Sequence, residues 1–294
     1  MISRRRDGTQ VESYDGQGGI IRFLYGTAPG RVLLRPLVRP GFSKLMGHLL
    51  STHLSALGVK GFIRKNEIPM EDYPAKSYRS FNDFFTRSIR PGARTIDMNP
   101  RHLIAPCDAK LTAVGLKDDA RFFIKGVEYT AQSLLRDRNL AERFAGGTLM
   151  IFRLSVDDYH HYICPVQGTQ GVATVIPGVF HTVNPYAAGL RPIYRENTRE
   201  YVCVQTDFGQ LLQMEVGALM VGKITNVLGP GNVERGQEKG YFEFGGSTVI
   251  LMLEKNMIFL DDDILRNSQA GEETIVKMGE RIGTFNENRP GALV

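Results

Sequence analysis

The N-terminal part of the chain contains a segment with the hydrophobic spacing of an amphipathic helix. Its apolar residues recur at intervals of three and four positions, and they are Phe42, Leu45, Met46, Leu49, Leu50, Leu54 and Leu57. Because this spacing lines one face of a helix, we predict a helical, basic region over residues 19–99. The polar stretch before it, residues 1–18, is expected to be a flexible start.

The apolar stripe of this predicted helix has two possible partners. A helix inside a long chain most often packs on the protein's own core, but a basic segment with an apolar stripe can also lie in a membrane interface. The neighbouring stretch places Arg31, Arg35 and Arg39 among leucine and valine residues. This mixture favours a membrane-associating region.

Beyond about residue 100, short runs of β-forming residues recur between Gly, Pro and Asp. These runs cover residues 148–156, 171–176, 200–206, 210–218 and 248–254, and residues 274–283 have the pattern of strand, tight turn and strand. Such runs are typical of an antiparallel β domain. We therefore predict an α+β fold, with N-terminal amphipathic helices and a β-rich domain over residues 100–294.

Positive charge is concentrated near the N-terminus. Residues 1–65 contain eleven Lys or Arg and three acids, whereas the remainder contains 25 basic and 28 acidic residues. An anionic membrane or nucleic acid would be attracted to such a segment, and a solvated face would have the same composition. No nucleic-acid recognition motif accompanies the charge, so no nucleic-acid partner is expected. No run of about 18 apolar residues is present, so no membrane-spanning helix is expected.

Cysteine and acidic residues give little indication of a metal site. Cys107, Cys164 and Cys203 have no CxxC spacing, which argues against structural zinc or a disulfide framework and is typical of a reducing compartment. The acidic run at 261–263 lacks the spacing of a calcium-binding EF-hand. We expect that run to be an exposed turn, and we expect no metal.

The segment Gly245-Gly246-Ser247-Thr248 lies between two β-forming runs and has three possible interpretations. Ser247 could belong to a turn or bulge. A hydrolase nucleophile fits poorly, because a G-x-S-x-G elbow leads into a helix and β residues follow here. The third possibility is attack of Ser247 Oγ on the carbonyl carbon of Gly246, which glycine leaves sterically open. That reaction needs a base and a carboxylate to orient it.

Seven sequence blocks, in the same order, resemble those of one family. They are 84–94 (FFTRSIRPGAR), 106–109 (PCDA), 152–160 (FRLSVDDYH), 180–185 (FHTVNP), 196–197 (EN), 216–222 (VGALMVG) and 246–248 (GST). Over about residues 20–285 the chain resembles the phosphatidylserine decarboxylases. Each block alone is weak evidence for the family, but seven blocks in the same order make the resemblance specific.

The resemblance implies a self-cleaving, pyruvoyl-dependent enzyme. Cleavage between Gly246 and Ser247 would give a large chain, 1–246, and a small chain, 247–294, and Ser247 would become the covalent pyruvoyl cofactor. Phosphatidylserine would be decarboxylated to phosphatidylethanolamine through a Schiff base on that group. In the family's pattern, Asp108 matches the orienting carboxylate and His160 the histidine of the D-Y-H block.

One position departs from the pattern of many family members. They have D-Y-H-R-x-H, and the second histidine is usually assigned as the base, but this chain has Ile163 there. A bacterial branch of the family also lacks that histidine. His160 is the first candidate for the base, His161 is the second because it would share a strand face with position 163, and His181 is the third.

The resemblance also implies a setting for the enzyme. The β part would resemble the barrel-sandwich hybrid of lipoyl-type domains, and the two cleaved chains would stay associated. The protein would bind peripherally at the cytoplasmic face of the cell membrane, where its anionic substrate lies, and a homodimer is possible. Two alternatives remain open: a soluble pyruvoyl-dependent amino-acid decarboxylase, and an unprocessed member that only binds lipid.

Overall fold

A computed structural model describes residues 2–12, 18–219, 223–243 and 247–288. The N-terminal elements are β1 (Ile2–Arg4), β2 (Gln10–Glu12), α1 (Gly18–Gly26), α2 (Ala28–Leu37), α3 (Pro40–Leu50), a 3-10 helix (His53–Gly58), α4 (Val59–Lys65), a second 3-10 helix (Met70–Asp72) and α5 (Phe81–Phe85). The middle elements are β3 (His102–Ile104), β4 (Ala109–Gly115), β5 (Arg121–Ile124), β6 (Val127–Thr130), α6 (Ala131–Leu135), α7 (Arg138–Arg143), β7 (Thr148–Leu154), β8 (His161–Ile163), β9 (Gly168–Gln170), β10 (Thr174–Ile176), α8 (Pro185–Ala188) and α9 (Ile193–Glu196). The last elements are β11 (Arg199–Thr206), β12 (Gly209–Val216), β13 (Ile224–Asn226), β14 (Gly231–Val233), β15 (Glu238–Phe242), β16 (Ser247–Leu253), β17 (Ile258–Leu260), α10 (Asp262–Gln269), β18 (Glu273–Val276) and β19 (Arg281–Phe285).

The largest sheet has the strand order β14-β9-β11-β12-β16-β7-β4-β18-β1-β2, and β10 also pairs with β11. Its pairs are antiparallel except for β1 with β18. Three smaller sheets have the orders β13-β15-β8, β17-β19-β3 and β5-β6. The α+β class with antiparallel sheets is confirmed, and the described strands form no closed barrel.

Strand β16 runs through the middle of the large sheet, between β12 and β7. All seven of its residues are buried. Val249, Leu251 and Leu253 pack into the core on one face, and Ile250 and Met252 pack into the core on the other. A continuous apolar run is what a strand covered on both faces requires.

The predicted β runs correspond to strands, with one partial error. The run 171–176 pairs only over Thr174–Ile176, and the separate strand Gly168–Gln170 precedes it. Both segments pair with β11, and the chain leaves that pairing at residues 171–173. Val172 is largely exposed there, so no burial holds those residues in the ladder.

The start of the chain differs from the expected flexible segment. Strands β1 and β2 form a hairpin, and β1 adds in parallel to β18. Arg6 extends this contact, since it hydrogen-bonds Asp261 at 2.7 Å and Asp263 at 2.5 Å. The acidic run at 261–263 is therefore the ion-paired start of α10, and the exposed turn expected there is wrong.

Helices occupy most of residues 18–65 and recur at 81–85, but the described residues 86–99 contain none, so the region predicted as helical extends too far. The apolar stripe of this region is mostly exposed. Helix α3 ends at Leu50, where the Ser51 hydroxyl bonds back to the Gly47 carbonyl at 2.8 Å. Leu54 and Leu57 in the following 3-10 helix are 79% and 83% exposed. Leu50 packs against the cluster around Phe84 and Phe85, but most of the stripe is not covered by the core of the described protein. None of the described helices is long and apolar enough to cross a membrane.

Candidate active site

Ser247 is the first residue of β16 and pairs with Leu154, the last residue of β7. Its side chain is buried, and its Oγ has no hydrogen-bond partner among the described residues. Gly246, the other half of the expected cleavage site, lies outside the described residues. A buried hydroxyl without a partner loses its hydration and gains nothing in return. Such an atom therefore needs a functional explanation.

His160 follows β7 and precedes β8, and its ring is also fully buried. Nδ1 lies 2.9 Å from the backbone oxygen of Asp158, which can only accept, so Nδ1 carries the proton in this contact. Nε2 has no hydrogen-bond partner within the described part of the chain. The Phe85 ring packs on the imidazole, with the two centroids 4.2 Å apart.

Burial makes His160 a neutral imidazole. It lowers the pKa of His160 to about 3, against the opposing effect of the hydrogen bond to Asp158. Neutral imidazole with a proton on Nδ1 has a free lone pair on Nε2. That nitrogen can accept a proton from a hydroxyl, which is the task of a general base.

The fold brings the segments of His160 and Ser247 to one end of the large sheet. The loop after β7 is fixed by Asp158, whose Oδ2 accepts from the Ser155 N–H at 2.6 Å and from Lys110 Nζ at 2.7 Å. The His160 carbonyl accepts from the Phe242 N–H at 2.9 Å. Phe242 ends β15, five residues before Ser247.

Asp108 is buried but does not contact a histidine through a hydrogen bond. Its carboxylate accepts from Arg94 Nη2 at 2.6 Å, from Lys277 Nζ at 3.1 Å and from the Met278 N–H at 2.9 Å. Burial opposes its charge, but Arg94, Lys277 and the Met278 N–H outweigh burial and lower the pKa of this carboxyl. The backbone of Asp158, and not Asp108, therefore orients the His160 ring here.

The other two candidate histidines have both ring nitrogens engaged. His161 contacts Glu238 Oε1 through Nδ1 at 2.7 Å and the Thr86 carbonyl through Nε2 at 3.2 Å. His181 contacts the Tyr25 hydroxyl through Nδ1 at 3.0 Å and Glu196 through Nε2 at 3.1 Å. Of the three candidates, His160 has the free nitrogen.

Position 163 has an apolar environment. Ile163 is buried in a cluster with Phe84, Phe85 and Tyr159. Its neighbours therefore suit an aliphatic side chain. No group of three or more His, Cys, Asp or Glu that could hold a metal ion occurs within the described ranges.

Four residues near the site were not among the predicted site residues: Phe85, Arg87, Lys110 and Asp158. Asp158 and Arg87 stand inside two of the family-like blocks, so the blocks held a signal for both. Lys110 had no such signal, because its buried pairing with Asp158 depends on the fold. Phe85 also stands in the block 84–94, but its contact with the His160 ring depends on the fold.

Comparisons with known proteins show the family of the chain. The family model described as phosphatidylserine decarboxylase matches residues 81–284. The chain is 42% identical to phosphatidylserine decarboxylase proenzyme 2 of Clostridium acetobutylicum, over 92% of this chain and 94% of that protein. It is 37% identical to the phosphatidylserine decarboxylase proenzyme of Fusobacterium nucleatum, over 96% of both chains. Schizosaccharomyces pombe proenzyme 3 is 40% identical over 81% of this chain but 25% of its own length. The chain belongs to the phosphatidylserine decarboxylase family.

Proposed function

We propose that this protein cleaves itself between Gly246 and Ser247 and then decarboxylates phosphatidylserine to phosphatidylethanolamine. One observation carries the proposal: Ser247 Oγ and His160 Nε2 are both buried without a hydrogen-bond partner among the described residues, and Ser247 pairs with Leu154, where β7 ends and the loop that carries His160 begins. The relatives are named proenzymes, which fits a chain that must be processed.

Cleavage begins when His160 Nε2 takes the proton of Ser247 Oγ. The oxygen attacks the carbonyl carbon of Gly246, and His160 returns the proton to the Ser247 nitrogen as the Gly246–Ser247 amide bond breaks, so that an ester on Oγ and a free amine replace the amide. Loss of the Ser247 α-proton and of the Gly246 carboxylate leaves dehydroalanine at position 247. Water then adds and ammonia leaves, so that a ketone remains at the start of the small chain.

The unpartnered Ser247 hydroxyl fits this role, because it is committed to no hydrogen bond within the described residues that the reaction must break. The pyruvoyl group would supply an electron sink for the pair released with carbon dioxide. The unengaged His160 Nε2 is also our candidate for returning a proton to the substrate's α-carbon. We assign it both proton transfers.

A membrane-binding surface is proposed on the N-terminal helices. Residues 18–66 contain eight Lys or Arg and no acid. Exposed apolar side chains stand among them, namely Ile20, Phe23, Val32, Leu33, Leu45, Leu49, Leu54 and Leu57. Apolar groups that enter the interface and cations that attract anionic lipid together favour peripheral binding. Such lipid is abundant at the cytoplasmic face, where we place the protein.

The two chains produced by cleavage would remain together. Strand β16 of the small chain lies between β12 and β7 of the large chain, and β18 lies between β4 and β1. Buried ion pairs cross the same boundary, including Arg153 with Glu273.

Intact mass of the freshly purified protein tests the proposal. Wild type should give fragments of 246 and 48 residues, and the smaller should carry a carbonyl that borohydride reduces. Ser247→Ala should stay whole, whereas Ser268→Ala, which removes a small-chain hydroxyl on α10, should cleave like wild type. A wild-type chain that stays whole would overturn the proposal.

Substrate class is tested separately, with phosphatidylserine in anionic vesicles and with free serine. Release of carbon dioxide from the lipid alone is expected. Turnover of free serine without binding to vesicles would instead identify a soluble amino-acid decarboxylase.

A further inference from the structure

Arg87 is a buried cation whose hydrogen-bonding capacity is mostly unused. Its side chain is 2% exposed and lies against the rings of Tyr73 and Phe84, at 4.1 and 4.4 Å from their centroids. Nη1 donates to the Phe84 carbonyl at 3.2 Å. Nε and Nη2 have no hydrogen-bond partner among the described residues, and no carboxylate there forms an ion pair with Arg87.

Two other buried arginines of the described protein are satisfied, whereas Arg235 donates to two carbonyls through Nη1 and Nη2 and keeps an unpartnered Nε. Arg199 is also fully enclosed, and it donates to the carbonyls of Leu134, Ser133, Arg195 and Asn197. Arg153 pairs with Glu273 through two nitrogens. The aromatic rings lie against the Arg87 guanidinium but leave its Nε and Nη2 without a hydrogen-bond partner among the described residues. An unpaired buried charge is costly, so a ligand that pairs with it is the natural explanation.

Arg87 lies beside the candidate active site. Phe85, two residues earlier, packs on the His160 ring, and the carbonyl of Thr86 accepts from His161. The charge of Arg87 contributes to lowering the pKa of His160, after the larger effect of burial. The guanidinium is therefore close enough to act on the groups that would perform the reaction.

We infer that Arg87 binds the phosphodiester of the lipid headgroup through Nε and Nη2. This inference rests on the proposed function and adds the residue that recognises the substrate. A guanidinium edge with two parallel N–H groups matches two phosphate oxygens, which is the geometry that favours Arg over Lys.

The phosphodiester suits this cation better than the substrate carboxylate does. The carboxylate leaves as neutral carbon dioxide, so a cation fixed on it would stabilise the ground state more than the transition state and slow the reaction. The phosphodiester keeps its charge throughout. Binding it would select phospholipid over free serine without affecting the barrier to decarboxylation.

Steady-state kinetics of Arg87→Lys and Arg87→Gln test the inference, with Arg199→Lys as the matched control. Arg87→Gln should still cleave itself, and its KM for phosphatidylserine should rise roughly 10- to 100-fold while kcat stays within a few-fold of wild type. Arg87→Lys keeps the charge, and its KM should lie between the values of wild type and Arg87→Gln. Arg199→Lys should lower the melting temperature but leave KM unchanged.

Inhibitors distinguish the two anions. Glycerophosphoethanolamine carries a phosphodiester without a carboxylate, and serine carries a carboxylate without a phosphate. Inhibition by glycerophosphoethanolamine should weaken in Arg87→Gln, and any inhibition by serine should not. The reverse result, or an unchanged KM in a folded and cleaved Arg87→Gln enzyme, would overturn the inference.

The inference and the proposed function can fail separately. If wild type neither cleaves nor turns over lipid, the proposed function fails. The melting temperature of the intact chain with glycerophosphoethanolamine then still tests Arg87. The compound should raise it for wild type but not for Arg87→Gln. Should Arg87→Gln fail to fold, the comparison of Arg87→Lys with Arg199→Lys decides: a KM rise confined to Arg87→Lys supports phosphate binding, and equal KM values contradict it.

Discussion

The Arg153 guanidinium holds the Glu273 carboxylate with two hydrogen bonds, of 2.6 and 3.0 Å, and the two residues belong to the two chains that cleavage would create. Both side chains are buried. Arg153 lies on β7, next to the strand that starts with Ser247. The pair would therefore join the two products of the proposed cleavage within the sheet that contains Ser247.

Removing one partner of this pair should destabilise the protein strongly. Glu273→Gln leaves the Arg153 charge buried without its counter-ion, which costs about 3–5 kcal/mol. Urea unfolding of the uncleavable Ser247→Ala background measures the change. Lys255→Ala, which removes an exposed pair with Asp118, is the control and should change the free energy of unfolding by less than about 1 kcal/mol. Equal effects would mean that the buried pair contributes no more than a surface one.

Self-cleavage should depend on His160 more than on the other two histidines. His160→Gln removes the free Nε2 and should slow cleavage by about 100-fold or more, the usual contribution of a general base. His161→Gln should stay within about tenfold of wild type, because both nitrogens of His161 already face other groups. Mass spectrometry over time after synthesis measures both rates. A slower His161 variant with a normal His160 variant would assign the base to His161.

Stability should also change with pH through His160. Its pKa is about 3 in the folded chain and near 6.5 in an unfolded one, so the unfolded chain binds this proton more readily. The contribution of neutral His160 to the free energy of unfolding is therefore fully present above pH 6.5 and is lost as the pH falls from 6.5 towards 3.

The measurement compares Ser247→Ala with the double variant that also carries His160→Gln. Between pH 7 and pH 5, the first should lose about 1–2 kcal/mol more stability than the second. Equal losses would mean that His160 titrates normally in the folded chain. Cleavage of wild type should in turn vary little between pH 8 and pH 5, whereas a rate that falls through pH 6.5 would indicate a different base.

Vesicle binding should depend on the exposed leucines after α3. Leu54→Ser with Leu57→Ser removes two apolar side chains that the membrane interface would bury, at about 1.5–3 kcal/mol for each fully buried side chain. Binding to anionic vesicles, measured by flotation, should therefore fall at least about tenfold. Val172→Ser with Phe259→Ser removes two exposed apolar residues outside the helical region and should bind as wild type does. Equal binding of both double variants would place the membrane surface elsewhere.

The strands were largely predictable because their signal is local. The run that became β16 is apolar at nearly every position, which is what a strand between two covered faces requires. The N-terminal hairpin could not be predicted in that way. Ser3 pairs with Glu273, some 270 positions later, and the polar sequence around Ser3 gives no sign of that partner.

The site was predictable only where a short block named its residue. Ser247 and His160 stand in such blocks, and the structure leaves both side chains buried with an unused polar atom. The surroundings of Asp108 were not predictable, since Lys277 reaches it from 169 residues away. Arg87 stands in the block 84–94, which marks it as a candidate, but its burial without a counter-ion among the described residues is a property of the fold.

Because β16 lies in the middle of the large sheet, the chain would fold more easily before cleavage than after it. A folded precursor can place this strand between β12 and β7 as part of one continuous chain, but after cleavage the 48-residue fragment would have to find both neighbours as a separate molecule. Unfolding of the mature protein would then be a one-way event, and its working life would be set by the rate of unfolding rather than by an equilibrium. Such a protein folds once, as a precursor, and afterwards persists only because the barrier to unfolding is high.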